Sequence, residues 1–214
     1  MPELQIIGGG ASNFVWVTRI VCLEKGVPYT HVPCMPHTPE IDAVHPLGKI
    51  PGMRHGEVTL GESRAICRYI DQVFPGPSLM PADAAAAAKT EQWVSIICTA
   101  IDPIMLRQYL AAYIFPGTAD GSPDRTRIDV ALPKMEPQFA LLDRAVAKTG
   151  YLVGESFTLA DAYLTPILYY MGTRPESSAL LGKCASLPAY LDGNMARPSV
   201  RETQPQNRPG TAGR

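Results

Sequence analysis

All strand signals in this 214-residue chain lie before a proline-rich stretch at residues 75–81, and every signal after it is helical. The opening run Leu4-Gln5-Ile6-Ile7 is short and apolar, with β-branched residues. It stops at Gly8-Gly9-Gly10, as a buried strand entering a tight turn would. Residues 14–25 place Val17, Ile20, Val21 and Leu23 on a helical period and end at Gly26, a glycine stop. A second strand is expected at residues 29–32 and an irregular, proline-rich loop at 33–39. Two short strands around His55-Gly56 are expected within 53–60, followed by a helix from Ser63 to Phe74.

Strand, helix, strand, loop or short helix, two strands, helix is the order of a thioredoxin-like α/β domain, with parallel and antiparallel strands in one sheet. The sequence therefore predicts that domain over residues 1–76 and a linker at 77–84. An all-helical bundle domain is expected over 85–200 and a polar tail at 201–214. In the helical domain the run from Ala84 to Ala88 favours helix by propensity. Trp93, Ile96, Ile97, Ala100, Ile101 and Ile104 then share one face of a helix that Pro103 should kink. Ile128, Leu132, Met135, Phe139 and Leu142 form a second stripe, interrupted by Pro133 and Pro137, so a bent or broken helix is expected there. A third helix is expected at residues 159–171. Thr158 and Asp161 at its start have the spacing of a capping box.

A net charge of −1, with scattered basic residues, provides no strong field for nucleic acid or an anionic membrane. The N-terminus lacks the charged-then-apolar pattern of a signal peptide, and no apolar run reads as long enough to span a membrane. Cys22, Cys34, Cys67, Cys98 and Cys184 are widely spaced and form no Cys-x-x-Cys pair. Neither a metal site nor a dithiol redox motif is therefore expected, and a cytoplasmic location fits.

Two stretches look built to hold a ligand. His45-Pro46-Leu47-Gly48-Lys49-Ile50-Pro51 leads through a turn to an Ile-Pro bond, which can be cis and present backbone groups to a peptide. Leu60-Gly61-Glu62-Ser63-Arg64-Ala65-Ile66 then opens a helix with an acid and a hydroxyl. Glu62 can take an ammonium, while Ser63 and the free N–H groups of the helix start can hold a carboxylate. A short peptide-like ligand with an ammonium and carboxylates suits this arrangement. Both stretches are also ordinary as a plain turn and a plain helix start.

Together these residues resemble the glutathione-binding signature of the glutathione S-transferase family, with His45 where the family usually carries Asn. The resemblance runs from about Leu4 to about Val200. The Thr158/Asp161 box and the closing segment Ala196-Arg197-Pro198-Ser199-Val200 belong to the same likeness. It implies that the backbone of Ile50, before a cis Pro51, pairs with the cysteinyl part of glutathione. Glu62 would bind the γ-glutamyl ammonium and Ser63 the adjacent carboxylate, and Lys49, with His37 as a further candidate, would meet the glycyl carboxylate. Lys49 as a solvated surface charge and His45 as an organiser of its turn are the simpler alternatives.

Family enzymes ionise the glutathione thiol, whose pKa near 8.5 leaves only a few per cent as thiolate at neutral pH. A hydroxyl donor at the start of the first helix stabilises the anion. No Tyr precedes Tyr29 and no Cys lies in the 8–14 turn, so Ser12 remains, with Asn13 as the backup donor. Ser12-Asn13-Phe14 resembles the Ser-Pro-Phe element of serine-type members, with Asn13 replacing Pro. Ser12 as a plain N-cap is the competing reading. The resemblance also places a second substrate against Met105, Tyr109 and Tyr113, which would otherwise pack in a core or a dimer interface.

The expected protein is a serine-type, bacterial-like cytosolic glutathione transferase, a homodimer that attacks a small apolar electrophile in detoxification. No partnership with nucleic acid or membrane is expected. The alternatives are a glutathione-dependent isomerase or lyase, which Ala11-Ser12-Asn13 matches less well than a Ser-Ser-Cys turn would, or a non-enzymatic binding protein on the same fold.

Overall fold

The computed structural model describes residues 2–206. The described chain forms two compact units. One comprises residues 2–80 and the segment from Arg197 onward, and the other is Pro81–Ala196.

The first unit has a four-stranded sheet of β1 (Leu4–Ile7), β2 (Thr30–Val32), β3 (Gly52–His55) and β4 (Val58–Gly61), in the order β2-β1-β3-β4. β1 and β2 run parallel, joined by the crossover helix α1 (Asn13–Glu24), while β3 and β4 form an antiparallel hairpin beside β1. A short α2 (Pro39–Asp42) follows β2, and α3 (Ser63–Val73) follows β4. This is the thioredoxin-like arrangement. Ile6, Trp16, Ile20, Val21, Met53, Ile66 and Ile70 fill its core. α1 starts at Ser12, which is extended, and ends where Gly26 turns left-handed at φ 67° and donates to the Leu23 carbonyl.

Lys25, at the end of α1, is almost wholly buried. Its Nζ donates to the carbonyls of Asp71 (3.1 Å) and Gly76 (3.2 Å) and lies 3.4 Å from the Asp71 carboxylate. That carboxylate also accepts from the Leu79 N–H and the Ser78 hydroxyl, both at 2.9 Å. A closed network of charges and hydrogen bonds thus ties α1, α3 and the segment leaving the first unit.

The expected domain limits fail at the C-terminus. α10 (Pro198–Thr203) belongs to the first unit. The Arg197 guanidinium grips the Glu24 carboxylate through two 2.8 Å bonds, Ser199 donates to the same carboxylate, and Trp16 Nε1 donates to Thr203 Oγ1 at 2.9 Å. A polar tail starting at residue 201 is therefore a correction, since Thr203 is buried against α1. The rest of that expected tail, from residue 207, lies outside the described residues.

The second unit is all helical. α4 (Ala84–Ile96) continues through two π-helical stretches, Ile97–Ile101 and Pro103–Leu110, into α5 (Ala111–Ile114). α6 (Arg125–Val146), α7 (Leu159–Met171), α8 (Pro175–Gly182) and α9 (Leu187–Met195) follow. The expected apolar face is rotated. Val94, Ile97, Ile101, Met105 and Tyr109 are buried, whereas Ala100 is exposed and Trp93, Ile96 and Ile104 are half-buried. The π turns are wider than α turns, so steps of four residues keep one side inward. Side chains of α6 cap carbonyls along the wide turns: Gln138 donates to Ala100 (2.8 Å) and Arg127 to Arg107 (3.0 Å).

Of the expected bent or broken helix the break does not occur: α6 is one helix with Pro133 and Pro137 inside it. Both prolines stand on its exposed side, where water can reach the carbonyls they leave unpaired. The run Ala84–Ile114 is, by length and composition, enough to cross a membrane, which corrects the reading that no such run exists. Its apolar stripe packs inside the unit.

The capping box at α7 closes around a buried acid. The Asp161 carboxylate accepts from the Thr158 N–H (2.9 Å) and hydroxyl (2.8 Å), the Leu152 N–H (3.0 Å) and the Tyr190 hydroxyl (2.9 Å).

Candidate active site

The sheet register brings the sequence motifs of the first unit to one end. Ile7 on β1 pairs with Gly52 on β3, and Gly52 pairs with Gly61 on β4. Across this row the 8–12 turn leaves β1, Ile50-Pro51 enters β3, and Glu62-Ser63 leaves β4. The Ile50-Pro51 bond is cis. Gly8, at φ 141°, lies so close to this loop that a Cβ would sit 2.9 Å from the Ile50 Cβ and 2.7 Å from Val15 Cγ2. Only glycine fits there.

Ser12 is half-exposed at the N-cap of α1, where its Oγ accepts from the Val15 N–H at a long 3.5 Å. A cap accepts through a lone pair, so the hydroxyl hydrogen stays available to a ligand. Capping and donation to sulfur are therefore compatible in one residue. Asn13, the backup donor, is buried at the first helical position.

Glu62 stands at the N-cap position of α3 with φ 66°, a left-handed conformation that costs a non-glycine residue about 1–3 kcal/mol and concentrates at functional sites. Its side chain is 72% exposed. His45 is buried behind it. Nδ1 of His45 accepts from the Leu47 N–H at 3.1 Å, so Nε2 carries the hydrogen and lies 3.6 Å from Glu62 Oε1. His45 thus organises its own turn and faces the acid, a contact its isolated place in the sequence does not reveal. Ser63 is buried at the first turn of α3, Ile50 is half-buried, and Lys49 is exposed on the loop beside it. His37, at φ 60°, donates its N–H to the Gly48 carbonyl at 2.8 Å. His31, unremarked in the sequence, reaches the turn from β2, with Nε2 2.8 Å from the Gly8 carbonyl.

The residues assigned to a second substrate lie in the helical unit and are placed differently. Met105 and Tyr109 are fully buried, which corrects the expectation that they line a cleft. The Tyr109 hydroxyl donates to Glu176 at 3.0 Å and accepts from the Ser177 N–H at 3.1 Å. Tyr113, which is half-buried, donates to the same carboxylate, and Arg125 pairs with it. Arg174 lies over the Tyr113 ring, 5.1 Å from its centroid.

Burial opposes the ionisation of Glu176, but the bonds from Arg125, then Tyr113 and Tyr109, hold its carboxyl at about 2. A lowered acid pKa stabilises the fold above the unfolded value and loses that stabilisation as pH falls through the folded one. Wild-type stability should therefore drop faster than that of Glu176→Gln between about pH 4.5 and 2. Parallel acid-unfolding curves would contradict this.

Among the described residues no group of three or more His, Cys, Asp or Glu is placed to hold a metal ion.

Comparison with known proteins agrees with the fold. Residues 8–78 match the glutathione S-transferase N-terminal domain and residues 97–198 the glutathione S-transferase C-terminal domain. The chain is 29% identical to glutathione S-transferase 3 of Zea mays over 210 residues, covering 95% of this chain and 94% of that protein. The solved theta class glutathione S-transferase of Xanthomonas axonopodis pv. citri, with glutathione bound, superposes with a TM-score of 0.81. It shares 26% identity, and the match covers 95% and 97% of the two chains. A stringent starvation protein A homolog of Haemophilus ducreyi is 28% identical over 163 residues, covering 72% of this chain and 67% of that protein. The chain belongs to the glutathione S-transferase family. It is a transferase whose co-substrate is glutathione.

Proposed function

We propose that Ser12 holds glutathione as its thiolate for attack on a small, apolar electrophile. The observation that carries this reading is the half-exposed Ser12 hydroxyl at the positive end of α1, on the same sheet edge as Ile50, Glu62 and Ser63. The backbone of Ile50, before Pro51, pairs with the cysteinyl part. Glu62 takes the γ-glutamyl ammonium, and Ser63 with the start of α3 takes the neighbouring carboxylate. Lys49 attracts the glycyl carboxylate. Asn13, being buried, supports the start of α1 rather than the sulfur. The sulfur lone pair then forms a bond to the electrophilic carbon, and the leaving group or the opened ring takes the displaced electrons.

Titration calorimetry with reduced glutathione tests the placement. A buried charge-assisted bond would be worth about 1.5–3 kcal/mol, but Glu62 is mostly exposed, so screening puts the effect at the low end. Glu62→Ala should weaken glutathione binding by about tenfold. Unchanged affinity would mean that the ammonium lies elsewhere.

The residue-level domain limits of this reading are 2–80 with the Arg197 segment for glutathione and 81–196 for the helical unit. A cytoplasmic homodimer acting in detoxification fits the family. A second reading is a non-enzymatic binding protein, since one fold serves many roles and one relative is named for stringent starvation rather than for a transferase. Absence of any glutathione heat in calorimetry would favour it.

A further inference from the structure

The turn that carries Ser12 begins with three consecutive glycines, which have no side chains to select one path. The selection must come from its neighbours. The Gly8 N–H donates to the Val32 carbonyl at 2.9 Å, and the Gly8 carbonyl lies 2.8 Å from His31 Nε2. His31 meets the turn again at Gly10, where a Cβ would stand only 3.3 Å from its Cε1. His31 pairs with Ile6 in the parallel register of β1 and β2, and its side chain reaches from there to the Gly8 carbonyl.

A carbonyl only accepts, so His31 Nε2 carries the hydrogen. The ring is half-buried, and burial lowers its pKa, the Gly8 bond opposes that shift, and the Arg19 charge adds to it. The neutral ring is therefore its form at neutral pH. Arg19 donates from Nε to the Tyr29 hydroxyl at 3.1 Å, while its Nη1 also flanks Gly10, 3.5 Å from where a Cβ would stand.

We infer that His31 is a positioning residue for the transferase reaction: its Nε2–H holds the Gly8 carbonyl and its ring flanks Gly10, fixing the 8–11 turn so that the Ser12 hydroxyl stands in one place. This rests on the reading of Ser12 as the thiol donor. His31 acts through that turn rather than on the sulfur.

The test is ultraviolet titration of bound glutathione thiolate in wild type, His31→Leu, His31→Gln and Ser12→Ala, with glutathione affinity measured alongside. His31→Leu should raise the thiolate midpoint by about one pH unit, a roughly tenfold fall in the ionisation constant of the bound thiol. Affinity should stay within about threefold, because Ile50, Glu62 and Ser63 are untouched. His31→Gln, whose amide N–H can reach the same carbonyl, should restore most of the midpoint. A purely structural role would lower the melting temperature of His31→Leu and leave the midpoint where it is, and that result overturns the inference. Equal shifts in the Leu and Gln variants overturn it as well. An unshifted midpoint in Ser12→Ala instead removes the underlying reading of Ser12, and the inference falls with it.

Discussion

Ser12→Ala is expected to lower kcat/KM by about a hundredfold while leaving glutathione affinity nearly unchanged. A hydrogen bond to a charged acceptor contributes about 1.5–3 kcal/mol, and this one matters only once the thiol is ionised. The groups proposed to hold the ligand, Ile50, Glu62 and Ser63, lie on other loops, so binding should survive. Loss of the cap adds about 1 kcal/mol of destabilisation, which thermal melting reads separately. The measurement is the rate against an activated aryl halide, together with the pH midpoint of the bound thiolate. A loss smaller than about threefold would leave Ser12 as a cap only.

Lys25→Met is expected to destabilise the protein by about 3–5 kcal/mol, a large share of the stability of a typical domain. The wild-type pair is buried and fully hydrogen-bonded, and removing the cation leaves the Asp71 carboxylate without its counter-charge. The double variant Lys25→Met/Asp71→Leu should recover part of the loss, because two apolar groups leave no uncompensated charge. Urea unfolding midpoints at constant slope would measure both. A single variant within 1 kcal/mol of wild type would show that water reaches the site and that the pair contributes little.

The thioredoxin-like unit is legible in the sequence because its signals are local. The strand at Leu4, the glycine turn and the helix start at Ser63 each follow from residues next to one another. The glutathione signature is legible for the same reason. The missing parts depend on partners far along the chain. Thr203 looks like the start of a polar tail until Trp16, which needs an acceptor for its indole N–H, is found across from it. His31 looks like any strand residue until β1 and β2 pair in register. Met105 and Tyr109 look like cleft residues while 3.6 residues per turn is assumed, and the π turns between Ile97 and Leu110 carry them inward. Pro133 and Pro137 signal a break that exposure to water makes unnecessary.

The return of α10 to α1 has a consequence for synthesis on the ribosome. Trp16 is made well before its hydroxyl partner at Thr203, with the whole helical unit in between. The nascent glutathione-binding unit therefore waits, incomplete along α1, until the helical unit has been made and the segment from Arg197 follows it. A chain halted before residue 197 lacks the Thr203, Arg197 and Ser199 groups bonded to Trp16 and Glu24, so truncation uncovers the α1 surface that α10 covers, which chaperones and proteases read.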